Sequence, residues 1–252
     1  MGAYGSPLYI YSKSQIEFNW QQFEDSFGAH PHLICYAVKA NSNLAVLNVL
    51  ANLGSGFDIV SIGELERVIA AGGDPKKCVF SGVAKTENSI HKALEYGIYC
   101  FNVESEAELD RIESVAASIK MNAPISIRVN PNVDAKTHPY ISTGLTENKF
   151  GVGVDLALSL YKKASLSSHL EVFGLDYHIG SQITDISPFL EALDKALELI
   201  IRLKEEQISL NHIDIGGGVG VTYDKEATIS INDYIQSVIQ KAGDLKIFVE
   251  QK

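Results

Sequence analysis

Short apolar runs alternate along the chain with longer stretches whose apolar residues repeat at helical spacing. The runs at 33–38, 57–60, 78–81, 98–103, 125–130, 172–178, 212–216 and 246–250 predict strands, and the stretches between them predict helices. Ser61 with Glu64, and Ser105 with Glu108, have capping-box spacing at helix starts. Ser187 before Pro188 predicts a cap and a first-turn proline for a long helix ending near Glu206. Gly54, Gly72, Gly97 and Gly243 stand where helices should stop. Such alternation gives a parallel sheet, and eight strands can close a (β/α)8 TIM-type barrel. A doubly wound open sheet is the alternative.

Alternation within the strands favours the barrel. Ile125, Ile127 and Val129 share one face and oppose Ser126, Arg128 and Asn130. Phe173, Leu175 and Tyr177 oppose Gly174, Asp176 and His178, while Ile213 and Ile215 oppose His212, Asp214 and Gly216. An open sheet covered on both sides would be apolar throughout. Here one face is small or polar and ends in Lys39, Arg128, His178 and Glu250, which suits a barrel with its site at the C-terminal mouth. Residues 1–30 precede the first barrel strand, and 7–11 reads as an extra strand with no partner in the sequence. Residues 31–252 read as the barrel, incomplete after the eighth strand. With no closing helix after it, Ile247 and Val249 are expected to be partly uncovered, at roughly 1.5–3 kcal/mol for each exposed side chain.

Composition narrows the class. The chain has 252 residues, 46% of them apolar and 21% charged, as in an ordinary globular protein. No apolar run reaches the roughly 18 residues of a spanning helix, and the start lacks a secretory pattern. A net charge of −10 disfavours nucleic acid as a partner. Residues 1–6 match a loose myristoylation pattern, but so short a match is better explained by chance or a cloning remnant. Cys35, Cys78 and Cys100 are odd in number and widely spaced, so they read as core residues of a reducing cytosol rather than disulfide partners or metal ligands.

Four features carry candidate chemistry. Lys39 ends the first strand facing inward, where a desolvated amine of depressed pKa could form a Schiff base. A lysine reaching out to solvent is the plainer reading. Gly216, Gly217 and Gly218, with Gly220 beyond, follow the seventh strand and could let backbone N–H groups approach a phosphate. The spacing is neither dinucleotide-binding nor Walker-type, and a tight structural turn fits equally. After the sixth strand, His178 could stack on a flat cofactor and Ser181 could bond its phosphate; a satisfied core histidine is the commoner case. Glu250 could keep a pyridine nitrogen protonated, or simply be a solvated terminal carboxylate.

Together the blocks at 36–43 (YAVKANSN), 56–64 (GFDIVSIGE), 102–108 (NVESEAE), 128–133 (RVNPNV), 138–151 (HPYISTGLTENKFG), 178–184 (HIGSQIT) and 214–220 (DIGGGVG) resemble the diaminopimelate decarboxylases. These belong to the alanine-racemase-like barrel class of pyridoxal-phosphate enzymes. The resemblance implies pyridoxal 5′-phosphate held covalently by Lys39, stacked under His178 and bound through its phosphate by Ser181, Gly216, Gly217 and Gly218. Glu250 would pair with the ring nitrogen, Asp58 and Arg128 would lie near the lysine and ring, and His138, Tyr140, Ile141 and Ser142 would reach the substrate. It further implies decarboxylation of meso-diaminopimelate to L-lysine by a cytoplasmic homodimer that binds neither nucleic acid nor membrane. The family adds a C-terminal β-domain that supplies a proton donor and with which residues 1–30 would pair. The chain therefore reads as cut short, inactive or weak alone. A non-catalytic pyridoxal-phosphate-binding barrel is the second reading, and an alanine-racemase relative a third.

Overall fold

Strands form at all eight predicted places: β1 (His32–Ala37), β2 (Gly56–Ile59), β3 (Cys78–Phe80), β4 (Cys100–Val103), β5 (Ala123–Arg128), β6 (Leu170–Asp176), β7 (His212–Asp214) and β8 (Lys246–Gln251). The computed structural model describes residues 2–134, 150–223 and 227–251. Each strand pairs in parallel with its sequence neighbour, and β8 pairs with β1 from His32↔Ile247 to Tyr36↔Gln251. That last pairing closes the barrel and rules out the open sheet. Helices α2 (Leu44–Asn52), α3 (Ile62–Ala70), α4 (Glu87–Tyr96), α5 (Glu106–Ser118), α6 (Val154–Ser165), α7 (Ser187–Glu205) and α8 (Ile231–Ala242) follow β1 to β7 in turn. Among the described residues no helix is long and apolar enough to cross a membrane.

The caps form with modifications. Ser61 and Ser105 accept from the amides of Glu64 and Glu108. Neither glutamate closes the box: Glu64 turns to the Val60 amide, and Glu108 to the buried Lys85 amine. Ser187 is the first residue of α7 rather than its cap, and Asp185 accepts from its amide and hydroxyl.

The expectation that Ile247 and Val249 would be left partly uncovered is wrong: they are 0% and 1% exposed. Trp20, Phe23 and Phe27, from the start of the chain, share one core cluster with them. Helix α1 (Lys13–Phe27) packs against both α8 and α2, in the gap beside β8 and β1. It buries Trp20, Phe23 and Phe27, and Phe27 stacks on His32 of β1 at 4.3 Å. Gln236 of α8 donates to the Ser26 carbonyl, and His30 bonds the Leu245 carbonyl. Residues 1–30 are thus partly barrel. Residues 7–11, read as a strand, have no strand partner among the described residues and are exposed.

Inside the ring, Leu33, Tyr99, Phe173 and Phe248 plug the lower end, with Cys35, Val79 and Cys100 above. Phe173 breaks the predicted alternation. Between β5 and β6 the register runs Ile125↔Val172 and then Ser126↔Gly174, so Phe173 is an extra residue that turns inward onto Tyr99. Tyr161 of α6 repairs the ladder from outside. Its hydroxyl donates to the Gly174 carbonyl and accepts from the Ile127 amide. Gly174 then faces the His212 imidazole so closely that a Cβ would lie 2.1 Å from the ring. Buried His212 bonds Ser126 and is pushed down to about 3, first by burial and then by the Lys246 charge.

Candidate active site

At the C-terminal mouth the inward side chains become charged. Lys39 sits in a 3-10 turn, Val38–Ala40, one step beyond β1, rather than on the strand itself. Its amine still points into the ring: Nζ donates to Asp58 Oδ2 at 3.0 Å and lies 2.8 Å from Glu250 Oε1. Asp58 is the last residue but one of β2 and Glu250 the last but one of β8, the two strands flanking β1, so parallel pairing brings both carboxylates to one amine. The side chain remains 40% exposed, but the solvent-reaching reading fails because its head group is held inside.

The depressed amine pKa expected of a desolvated lysine is not found. Burial pulls the Lys39 amine down, but Asp58 and then Glu250 outweigh it and hold it above the ordinary lysine value. Asp58 is itself raised, chiefly by burial, with Lys39 opposing.

A small chamber joins Lys39, Asp58, Arg128, His178, Gly216 and Glu250. Asp176 and Asp214 also line it, so four carboxylates face two cations. Burial raises Asp176 strongly and lifts Asp214 to about 7, so protons relieve part of that excess. Asp176 and Asp214 were legible as inward residues at strand ends but were given no role; the same strand-end position that singled out Arg128 would have found them.

His178 accepts from the Gly217 amide through Nδ1 at 3.2 Å, which places the ring proton on Nε2. The Gly216 amide donates to Asp214 Oδ1. Among the three glycines, and among the described residues, only the Gly218 amide has no acceptor. The glycines are also needed for packing. A Cβ on Gly217 would meet the Glu250 carbonyl at 2.5 Å, and one on Gly218 the Gly180 carbonyl at 2.1 Å. The run is therefore a tight turn that also leaves one donor uncommitted. Ser181 and Gly218 line a second, larger cavity of about 1050 Å³, which meets the chamber at Glu250. His138, Tyr140, Ile141 and Ser142 lie outside the described residues.

Residues 13–250 match the pyridoxal binding domain of the pyridoxal-dependent decarboxylases. The diaminopimelate decarboxylase of Vibrio cholerae is 55% identical over 250 residues, 98% of this chain and 60% of that protein. The chain belongs to the pyridoxal-dependent decarboxylases. The diaminopimelate decarboxylase of Pseudomonas aeruginosa is 56% identical over 94% of this chain and 57% of its own length. Among solved structures, diaminopimelate decarboxylase from Helicobacter pylori complexed with L-lysine matches with a TM-score of 0.97 at 46% identity, over 99% of this chain and 64% of that one. The M. jannaschii enzyme in co-complex with L-lysine matches at 0.92 and 37%, over 99% and 61%. The chain thus spans about 60% of the length of the curated relatives it matches.

Pyridoxal 5′-phosphate is the family's cofactor, and the residues present fit it. Asp58 Oδ1 is buried without a hydrogen bond, and Glu250 Oε1 meets the Lys39 amine at 2.8 Å, so the chamber sets two carboxylates about one amine. The uncommitted Gly218 amide and Ser181 border the adjoining cavity.

Proposed function

We propose that this chain provides the cofactor-binding barrel of a carboxy-lyase that converts meso-2,6-diaminopimelate to L-lysine. The observation that carries the reading is the Lys39 amine held between Asp58 and Glu250 in the mouth of the closed barrel. The similarity to diaminopimelate decarboxylases supports the substrate, and the homodimer and cytoplasmic location belong to the same reading.

When bound, pyridoxal phosphate supplies an electron sink for the bond that releases CO₂. Lys39 is the covalent attachment point for its aldehyde. The amine must first lose a proton, and Asp58, already raised by burial and 3.0 Å away, is the acceptor in place. Glu250 would pair with the ring nitrogen and keep it protonated; the carboxylate excess of the chamber would work in the same direction. His178, its orientation fixed by the Gly217 amide, would stack on the ring. Ser181 and the Gly218 amide would hold the phosphate, while Gly216 and Gly217 shape the turn that presents them. Arg128 adds a fixed positive charge at the rim. His138, Tyr140, Ile141 and Ser142 would contact the substrate.

The test is in two stages. Incubation with pyridoxal phosphate followed by borohydride should place the label on the peptide containing Lys39. Radiolabelled CO₂ release from meso-diaminopimelate is then measured with the chain alone and with a separately expressed C-terminal portion of a family member. Label elsewhere rejects the Lys39 assignment. Label at Lys39 with no CO₂ in either sample rejects the decarboxylase and favours a cofactor-binding barrel.

A further inference from the structure

Behind Arg128, outside the chamber, stands a carboxylate to which none of the chemistry above gives a role. Glu104 follows β4, and its side chain is 2% exposed. It accepts three hydrogen bonds from three parts of the chain. Oε1 takes the Gly82 amide at 3.1 Å, from the turn after β3, and Arg128 Nη1 at 3.0 Å, from the end of β5. Oε2 takes the Gly151 amide at 3.0 Å.

Each of these partners is fixed a second time. The Gly82 carbonyl accepts from buried Lys85, which also bonds the Asn102 carbonyl and Glu108. Arg128 reaches Asp176 on its other side, and its guanidinium lies 5.0 Å from the centre of the Phe150 ring. Next to Gly151, Val152 exchanges backbone hydrogen bonds with Arg128 and Asn130. A Cβ on Gly151 would come within 2.9 Å of the Arg128 carbonyl, so this close contact requires glycine.

We propose that Glu104 is a positioning residue: it locks the Arg128 guanidinium, the turn at Gly82 and the Phe150–Gly151–Val152 anchor into one unit at the rim. A neutral glutamine cannot replace it. Three donors converge on Glu104, and an amide would turn its own NH₂ toward at least one of them. Because the guanidinium is the charged member, freeing it also loosens Gly151.

The test uses Glu104→Gln, Arg128→Met and the double variant. Methionine keeps the Cγ packed on Gly151 and removes only the charged end. Hydrogen exchange at Gly82 and Gly151 is read against core amides of β4 and β5. Glu104→Gln should speed at least one of the two by about tenfold, and Arg128→Met should speed Gly151 comparably. The double variant should be no faster at Gly151 than the faster single one. A second readout, which rests on the proposed cofactor, is pyridoxal phosphate affinity by visible absorbance. Both single variants should weaken it by a similar factor, the double no further, and Glu104→Asp should recover part of the loss. Exchange within about twofold of wild type in both single variants, or additive effects in the double, overturns the proposal. Absence of cofactor absorbance in the wild-type chain rejects the cofactor reading and leaves the exchange result to decide this one.

Discussion

Removing the Lys39 amine should expose how much of the mouth is held together by charge. In the cofactor-free protein, Lys39→Ala leaves Asp58 and Glu250, whose side chains are 5% and 11% exposed, without their cation. Breaking a buried pair typically costs about 3–5 kcal/mol. Because the Lys39 side chain is 40% exposed, solvent screens part of that, and about 2 kcal/mol is expected at pH 8. With a urea slope of about 3 kcal/mol per M, the unfolding midpoint falls by about 0.7 M. The loss depends on pH, and its sign follows from Asp58. That carboxyl is raised by burial even with the amine present, and it rises further without it. A raised carboxyl stabilises the fold while protonated and loses that contribution as pH climbs through its folded pKa. The gap between variant and wild type should therefore be small near pH 5 and full by pH 8. Urea unfolding followed by circular dichroism at both values measures it. Adding Asp58→Asn to the alanine variant should recover part of the loss at pH 8. An equal gap at both pH values, or no gap at pH 8, would refute the reasoning.

Three further outcomes follow from the fold. Asp214→Asn keeps an acceptor for the Gly216 amide but removes a carboxyl raised by burial to about 7. Wild type should therefore lose stability relative to the variant as pH rises from 4 to 7, by up to about 4 kcal/mol, in urea titrations across that range. Tyr161→Phe strips the Gly174 carbonyl and the Ile127 amide of their partner, so a cost of about 1–3 kcal/mol should appear as a lower thermal midpoint. Phe27→Ala should cost about 3–5 kcal/mol by the same measurement, because Phe27 is 2% exposed in the seam between α1 and the barrel.

The barrel was legible because inward polarity recurs at the strand ends, and β1 to β8 lie where the apolar runs stand. The candidate residues cluster for the same reason: in a parallel ring every C-terminal end reaches one mouth. What escaped the sequence depends on contacts distant along the chain. Nothing local to α1 says that it fills the place beside β8, since its seat is built mainly by α8. The extra residue at Phe173 is invisible to a period-two count, because β5 and Tyr161 together decide where the ladder slips. The raised Lys39 amine escaped because burial alone predicts the opposite sign; the answer turns on Asp58 and Glu250 arriving from neighbouring strands. Glu104 has no local signature either, since its three donors come from three separate parts of the chain.

The seam at α1 also sets an order of events during synthesis. This helix leaves the ribosome long before α8, whose Gln236 bonds back to Ser26 across 210 residues. Until that partner emerges, α1 has only α2 and β1 to pack on, and closing so long a span carries its entropic cost before any contact repays it. The face that α8 will cover therefore stays unsheltered for most of translation.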